Sequence, residues 1–162
     1  MKKIIFLLFL FSTFTKAQNK EAIQVNMLLD NWHKAAADAK FDDYMNAMTF
    51  DAIYIGTDAT ENWNKSEFMK FAKPYFDKGK AWSFTALERH IYFSKDKKTA
   101  WFDELLDTQM KICRGSGVLV KRGNNWKIQH YVLSMTIPND NSNEVINIKQ
   151  IIENPLIEKL KK

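Results

Sequence analysis

The sequence predicts an α+β domain, with helices first and an antiparallel meander after them. Two observations carry the prediction. From Glu21 to Tyr75 the apolar residues mostly recur at three- and four-residue spacing, whereas from Trp82 to Thr136 they alternate among β-branched and aromatic residues. A chain of 162 residues with 14% aromatic content has material for one ordinary core or a large apolar cavity.

Val25, Leu28, Leu29, Trp32, Ala35, Ala36 and Ala39 form one stripe on a first helix from about Glu21 to Ala39. Phe41, Tyr44, Met45 and Met48 repeat the pattern on a short second helix, and a strand around Asp51 to Ile55 runs into the turn signal Gly56-Thr57-Asp58. Asn64 with Glu67 three residues later reads as a capping box. It opens a third helix whose expected buried face is Phe68, Phe71, Ala72 and Tyr75, with Pro74 expected to kink or shorten it. Strands are expected at 82–93, 99–109, 113–121 and 125–136, with turns at Lys95-Asp96-Lys97 and Arg122-Gly123-Asn124-Asn125. Pro138-Asn139-Asp140 ends the meander, and Val145, Ile148, Ile151 and Ile152 predict a C-terminal helix broken near Pro155. No internal repeat or low-complexity linker interrupts this order.

Residues 1–17 read as a secretory signal: Lys2 and Lys3 give the positive start, Ile4 to Phe14 the apolar run and Thr15-Lys16-Ala17 the small-residue cleavage site. The run is short of the roughly 20 apolar residues that span a bilayer, so no stable membrane span is expected after cleavage, and a secreted or periplasmic location is. Lys2, Lys3 and Lys16 leave with the segment, which reduces 24 basic residues to 21 against 19 acidic ones, a net charge of only +2. That balance gives no support for nucleic-acid binding. Cys113 is the only cysteine, so stability must come from a core and not from an intrachain disulfide.

Several motifs together point further. Trp101-Phe102-Asp103-Glu104, Cys113-Arg114-Gly115-Ser116-Gly117-Val118 and Trp126-Lys127-Ile128 to Ser134 follow one another at strand-and-hairpin spacing, with Gly56-Thr57-Asp58 and Trp63 upstream. From about Val25 to Asp140 this order resembles the SnoaL-like branch of the nuclear transport factor 2-like superfamily. The resemblance implies a cone-shaped curved antiparallel sheet packed against N-terminal helices, which gives a domain over residues 18–140; the C-terminal helix read from the apolar spacing is then an extension at 141–162. It also implies a pocket for a small-molecule ligand and a homodimer built on the outer sheet face. The superfamily hosts isomerases, dehydratases, cyclases and non-catalytic proteins, so the fold alone selects no reaction.

Period-two alternation places Trp126, Ile128, His130, Val132 and Ser134 on one face of the last strand, which directs His130 and Ser134 into the cone. Asp103 and Glu104 are adjacent and face opposite sides, and one of them is expected inside. There desolvation would raise its pKa unless a cation balanced it; Arg114 on the next strand is the expected cation, at least half buried. Which acid is inside stays open, because a bulge would reverse the parity. His130 with Asp103 or Glu104 is the candidate proton-transfer set. His33, at the edge of the first helix's buried face, either looks into the cavity or flanks it. Tyr54, Asp58, Trp63, Trp82 and Trp101 are candidates for lining or gating the mouth. His33, His90 and His130 are too scattered for a zinc site, and Gly115 and Gly117 lie in a strand and do not form a phosphate loop, so no metal or cofactor is expected. Cys113 reads as a small buried hydrophobe. The leading expectation is a domain that binds a small, largely apolar organic molecule without assigned catalysis. The alternatives are an acid–base enzyme of the isomerase, dehydratase or cyclase type on the same pocket, or a purely structural module whose cone is filled by its own tryptophans.

Overall fold

The structure, a computed structural model, describes residues 20–161 with their side chains. The expected signal at 1–17, and its cleavage before Gln18, lie outside the described residues. Helix α1 (Lys2–Ala37) and α2 (Phe41–Asn46) precede β1 (Met48–Ile55), the short β2 (Asn62–Asn64) and α3 (Lys65–Phe76). The meander β3 (Thr85–Phe93), β4 (Thr99–Thr108), β5 (Lys111–Arg122) and β6 (Asn125–Met135) follows, and a 3-10 turn leads into α4 (Ser142–Leu160). One sheet takes the order β2-β1-β6-β5-β4-β3. The β1–β6 junction is parallel and all the others are antiparallel, so the sheet is mixed at this one seam.

The stripe on α1 buries Val25, Leu29, Trp32, Ala35 and Ala36 against the concave face. Trp32 stacks on Tyr44 and meets Tyr131 edge-on, each at 4.8 Å between ring centroids, and Tyr54 stacks on Phe68 at 3.9 Å. This aromatic column fills the deep part of the cone. At the far end, Glu21 accepts hydrogen bonds of 2.7 Å from both Lys121 Nζ and the Trp126 indole N–H, pinning α1 to the β5–β6 hairpin.

Helix α3 opens on the expected capping box, with Glu67 N–H donating to Asn64 Oδ1 at 3.0 Å and Asn64 N–H to Glu67 Oε2 at 3.0 Å. It buries Phe68, Ala72 and Phe76, while Phe71 and Tyr75 stay partly exposed along the cone's rim. Neither proline ends its helix: α3 continues past Pro74 to Phe76, and α4 runs through Pro155 to Leu160. In both cases the carbonyl that loses its donor belongs to an exposed residue, Lys70 or Ile151, where water can replace the missing bond. Helix α4 has no buried residue. Among the described residues no helix is long and apolar enough to cross a membrane.

Candidate functional site

Phe102, Glu104, Leu106 and Thr108 alternate inward along β4, so Glu104 is the acid inside and Asp103 faces out. Among the described residues Glu104 is the only buried carboxylate. Its cation is Arg89, the residue directly opposite on β3. Arg89 Nε donates to Glu104 Oε2 at 2.8 Å, and Nη2 lies equally close to that oxygen without the alignment of a hydrogen bond. Nη1 reaches across to α1, donating to Asp30 Oδ1 at 2.8 Å and Asn26 Oδ1 at 3.1 Å. The second carboxylate oxygen is held by His33 Nε2 at 2.8 Å and accepts from the Tyr131 hydroxyl at 3.3 Å.

Burial alone would raise the Glu104 pKa; the hydrogen bond with His33, the charges of His33 and Arg89 and the bond from Arg89 overcome it and hold the carboxyl below its ordinary value. Burial is also the main cause that pushes the Tyr131 phenol well up, with the Glu104 charge next. Gly115 makes this cluster possible. It sits opposite Glu104 in the β4–β5 register, and a Cβ there would lie 2.4 Å from the Tyr131 hydroxyl and 2.9 Å from Glu104 Oε1.

Arg114 is exposed, which corrects its expected pairing. Its register partner is Leu105, so it shares the outer face with Asp103 and cannot reach Glu104. His130 and Ser134 are likewise on the outer face. Val118 pairs with His130 but Leu119 pairs with Ile128, so Gln129 is an extra residue on β6, a bulge that reverses the alternation beyond it. Tyr131 and Leu133 therefore turn inward in their place. Asp103 bonds outward to His90 Nδ1 at 3.0 Å, raising the His90 pKa, and does not meet His130 in a proton-transfer pair. Trp101 is 46% exposed on the outer face, stacked on Tyr92, and does not line the mouth. Asp58 is also outside: it accepts from Thr60 N–H at 2.8 Å and Thr60 Oγ1 at 2.6 Å, closing the turn after β1.

The remaining candidates, Tyr54, Trp63 and Trp82, do converge. Together with Phe68, Phe71 and Phe84 they line a cleft of about 140 Å³ at the open end of the cone. Gly56, Thr57, Glu61, Gln109, Met110 and Leu133 complete its wall. Trp63 stacks on Phe71 at 4.4 Å and lies 5.9 Å from Phe68, so the rings form a continuous surface. Burial pushes the Tyr54 phenol far up, keeping it a neutral hydroxyl. His33 is on the other side of Phe84, where a groove of about 340 Å³ is lined by Asp30, His33, Lys34, Ala37, Ser83, Phe84, Thr85 and Ala86.

Two interior residues escaped the sequence reading. Arg89 shares its parity with Ile91 and Phe93, an available signal that it points inward; Tyr131 was hidden by the bulge. Cys113 is fully buried in the core. Among the described residues no three His, Cys, Asp or Glu side chains are grouped to hold a metal ion.

Solved structures share this architecture at low identity. A nuclear transport factor 2-like protein of unknown function from Pseudomonas putida KT2440 is 13% identical with a TM-score of 0.61, covering 78% of this chain and 92% of its own. A presumptive dehydratase of the same superfamily from Streptomyces avermitilis is 10% identical with a TM-score of 0.65, covering 75% and 99%. A cystatin-like-fold protein of unknown function from Nostoc punctiforme is 9% identical with a TM-score of 0.58, covering 71% and 90%. No curated protein matches the chain. The model of the SnoaL-like domain matches residues 25–138, from the buried stripe of α1 to the end of the meander, and the chain belongs to that family.

Proposed function

We propose that this protein binds a small, largely apolar organic molecule in the aromatic cleft at the mouth of its cone, without catalysing a reaction on it. The observation that carries the reading is the division of labour inside the cone. Six aromatic rings line an open cleft, while Glu104, the buried carboxylate, has both oxygens engaged by Arg89, His33 and Tyr131. A general base needs a pKa near the working pH, and the partners of Glu104 hold its carboxyl below the ordinary value. A cavity of roughly 150 Å³ with apolar walls accepts a benzene-sized guest, which sets the scale of ligand for this cleft. Calorimetric titration with small ring compounds tests the proposal: the wild type binds, and Met110→Trp, which fills the cleft wall, loses at least tenfold in affinity. Equal affinity in the filled variant would place the ligand elsewhere.

The His33–Glu104 pair favours a second reading, an acid–base enzyme of the isomerase or dehydratase type. An imidazole oriented by a buried carboxylate and lining a groove has the arrangement of a general base. On that reading His33→Ala abolishes turnover and leaves ligand affinity within about tenfold.

Export after loss of Met1 to Ala17 is part of the proposal, supported by the charged start, apolar run and small-residue site. An intact Met1 in the mass of the exported protein would defeat it. So is a homodimer through the outer sheet face, supported by the exposed Tyr92, Trp101 and Ile112 there. Sedimentation at micromolar concentration decides it, with a lone monomer as the contrary result.

A further inference from the structure

We propose that the ligand of the aromatic cleft is an alkylammonium cation of the choline type, held by ring faces and by the carboxylate of Glu61; this rests on the reading of the cleft as the binding site. The wall of the cleft combines six rings with one acidic side chain and includes no lysine, arginine or histidine. Aromatic faces carry negative potential, so a wall built this way attracts a cation whose charge is spread over methyl groups and is only weakly hydrated. A neutral guest of the same shape gains the contact area but not the electrostatic attraction.

Tyr54 and Phe68 are buried and stacked on each other, so the rings open to a ligand are Trp63, Phe71 and Trp82. Lysines ride over Phe41, Tyr75 and Trp126 at 5.5 to 5.7 Å, and none of these three rings lines the cleft. Glu61 is placed by the turn after β1. Its backbone N–H donates to Asp58 O and its carbonyl accepts from Gly56 N–H, each at 3.0 Å. Its Oε2 accepts from Asp58 N–H at 3.2 Å. Among the described residues Glu61 forms no salt bridge. Gly56 is what lets the carboxylate lie there, since a Cβ at that position would come within 2.1 Å of Glu61 Oε2. The negative charge of Glu61 acts on the buried Tyr54 hydroxyl, adding to the upward push of burial, so its field reaches the floor of the cleft. The volume, about 140 Å³, suits a trimethylammonium head, with the open side left for the rest of the molecule.

The test is calorimetric titration of the full chain with choline and with 3,3-dimethyl-1-butanol, its neutral isostere. Choline is expected to bind at least tenfold tighter. Glu61→Gln, which keeps an acceptor for Asp58 N–H, is expected to weaken choline at least threefold and leave the alcohol unchanged. Equal or tighter binding of the alcohol overturns the cation and leaves the apolar cleft standing. Unchanged choline affinity in Glu61→Gln overturns the role of that carboxylate. Binding of neither compound overturns the cation, and if small ring compounds also fail to bind, the cleft as a binding site falls with it.

Discussion

Arg89→Met removes the guanidinium that joins β3, β4 and α1. The side chain is 6% exposed and that of Glu104 is wholly buried, so its loss leaves a carboxylate without its main cation and out of reach of water. Breaking a buried pair from one side costs about 3–5 kcal/mol. His33, still 2.8 Å from the other carboxylate oxygen, and the Tyr131 hydroxyl keep part of the compensation, which puts the expected loss near the lower end, about 3 kcal/mol. In a domain of this size that corresponds to a fall in thermal midpoint of about 10 °C. Urea unfolding at pH 7 followed by circular dichroism measures the free-energy loss, and a thermal melt by the same signal measures the midpoint. The companion variant Arg89→Met with Glu104→Leu separates electrostatics from packing: removing both charges should recover much of the loss, because a charge-free core of similar volume leaves nothing unpaired. An unchanged midpoint in the single variant would refute the reasoning, as would a double variant less stable than the single.

Glu104 also makes stability depend on acid pH. Its folded pKa lies below the ordinary 4.5, so its contribution is complete above that value and is lost as pH falls through the lower, folded value. Glu104→Gln should flatten this slope in urea midpoints measured from pH 6 to pH 3. Gly115→Ala should destabilise by about 1–3 kcal/mol, because the new Cβ overlaps the Tyr131 hydroxyl and Glu104; a neutral effect in urea unfolding would mean the two side chains can step aside. Arg114→Met should change stability by no more than about 0.5 kcal/mol, as expected of an exposed residue, and a large loss would contradict its outward placement.

The elements themselves were legible because their signals are local. The α1 stripe, the Asn64/Glu67 capping box and the Lys95–Lys97 and Arg122–Asn125 turns each act within a few residues, and each is where the sequence pattern places it. The direction of side chains beyond a bulge was not legible. Gln129 contributes one unpaired residue to β6, and that single insertion exchanges His130, Val132 and Ser134 for Tyr131 and Leu133 at the core. On β3 a similar irregularity near Leu87 precedes Arg89, yet the run Arg89, Ile91, Phe93 beyond it keeps period two and marks the arginine as interior. The pairing of Glu104 with Arg89 and not Arg114 is a matter of register between strands, which alternation within one strand does not encode. The aromatic cleft was half visible: Tyr54, Trp63 and Trp82 were identifiable as lining candidates, but their joining with Phe68, Phe71 and Phe84 depends on how α3 docks over the sheet. Pro155 shows the opposite error, a local rule that over-predicts, since an exposed helix tolerates it where water can satisfy Ile151.

The five tryptophan indole groups provide the most direct test of where the ligand sits, because they sample different surfaces of the molecule. Trp63 and Trp82 line the cleft, Trp32 lies in the deep core, Trp126 is tied to Glu21 and Trp101 is on the outer sheet face. Indole N–H resonances assigned by single Trp→Phe variants and followed during titration with choline distinguish these positions. Binding in the cleft gives saturable shifts of Trp63 and Trp82 with Trp101 and Trp126 unmoved. Shifts confined to Trp101, or saturable binding that leaves Trp63 and Trp82 unmoved, would contradict it.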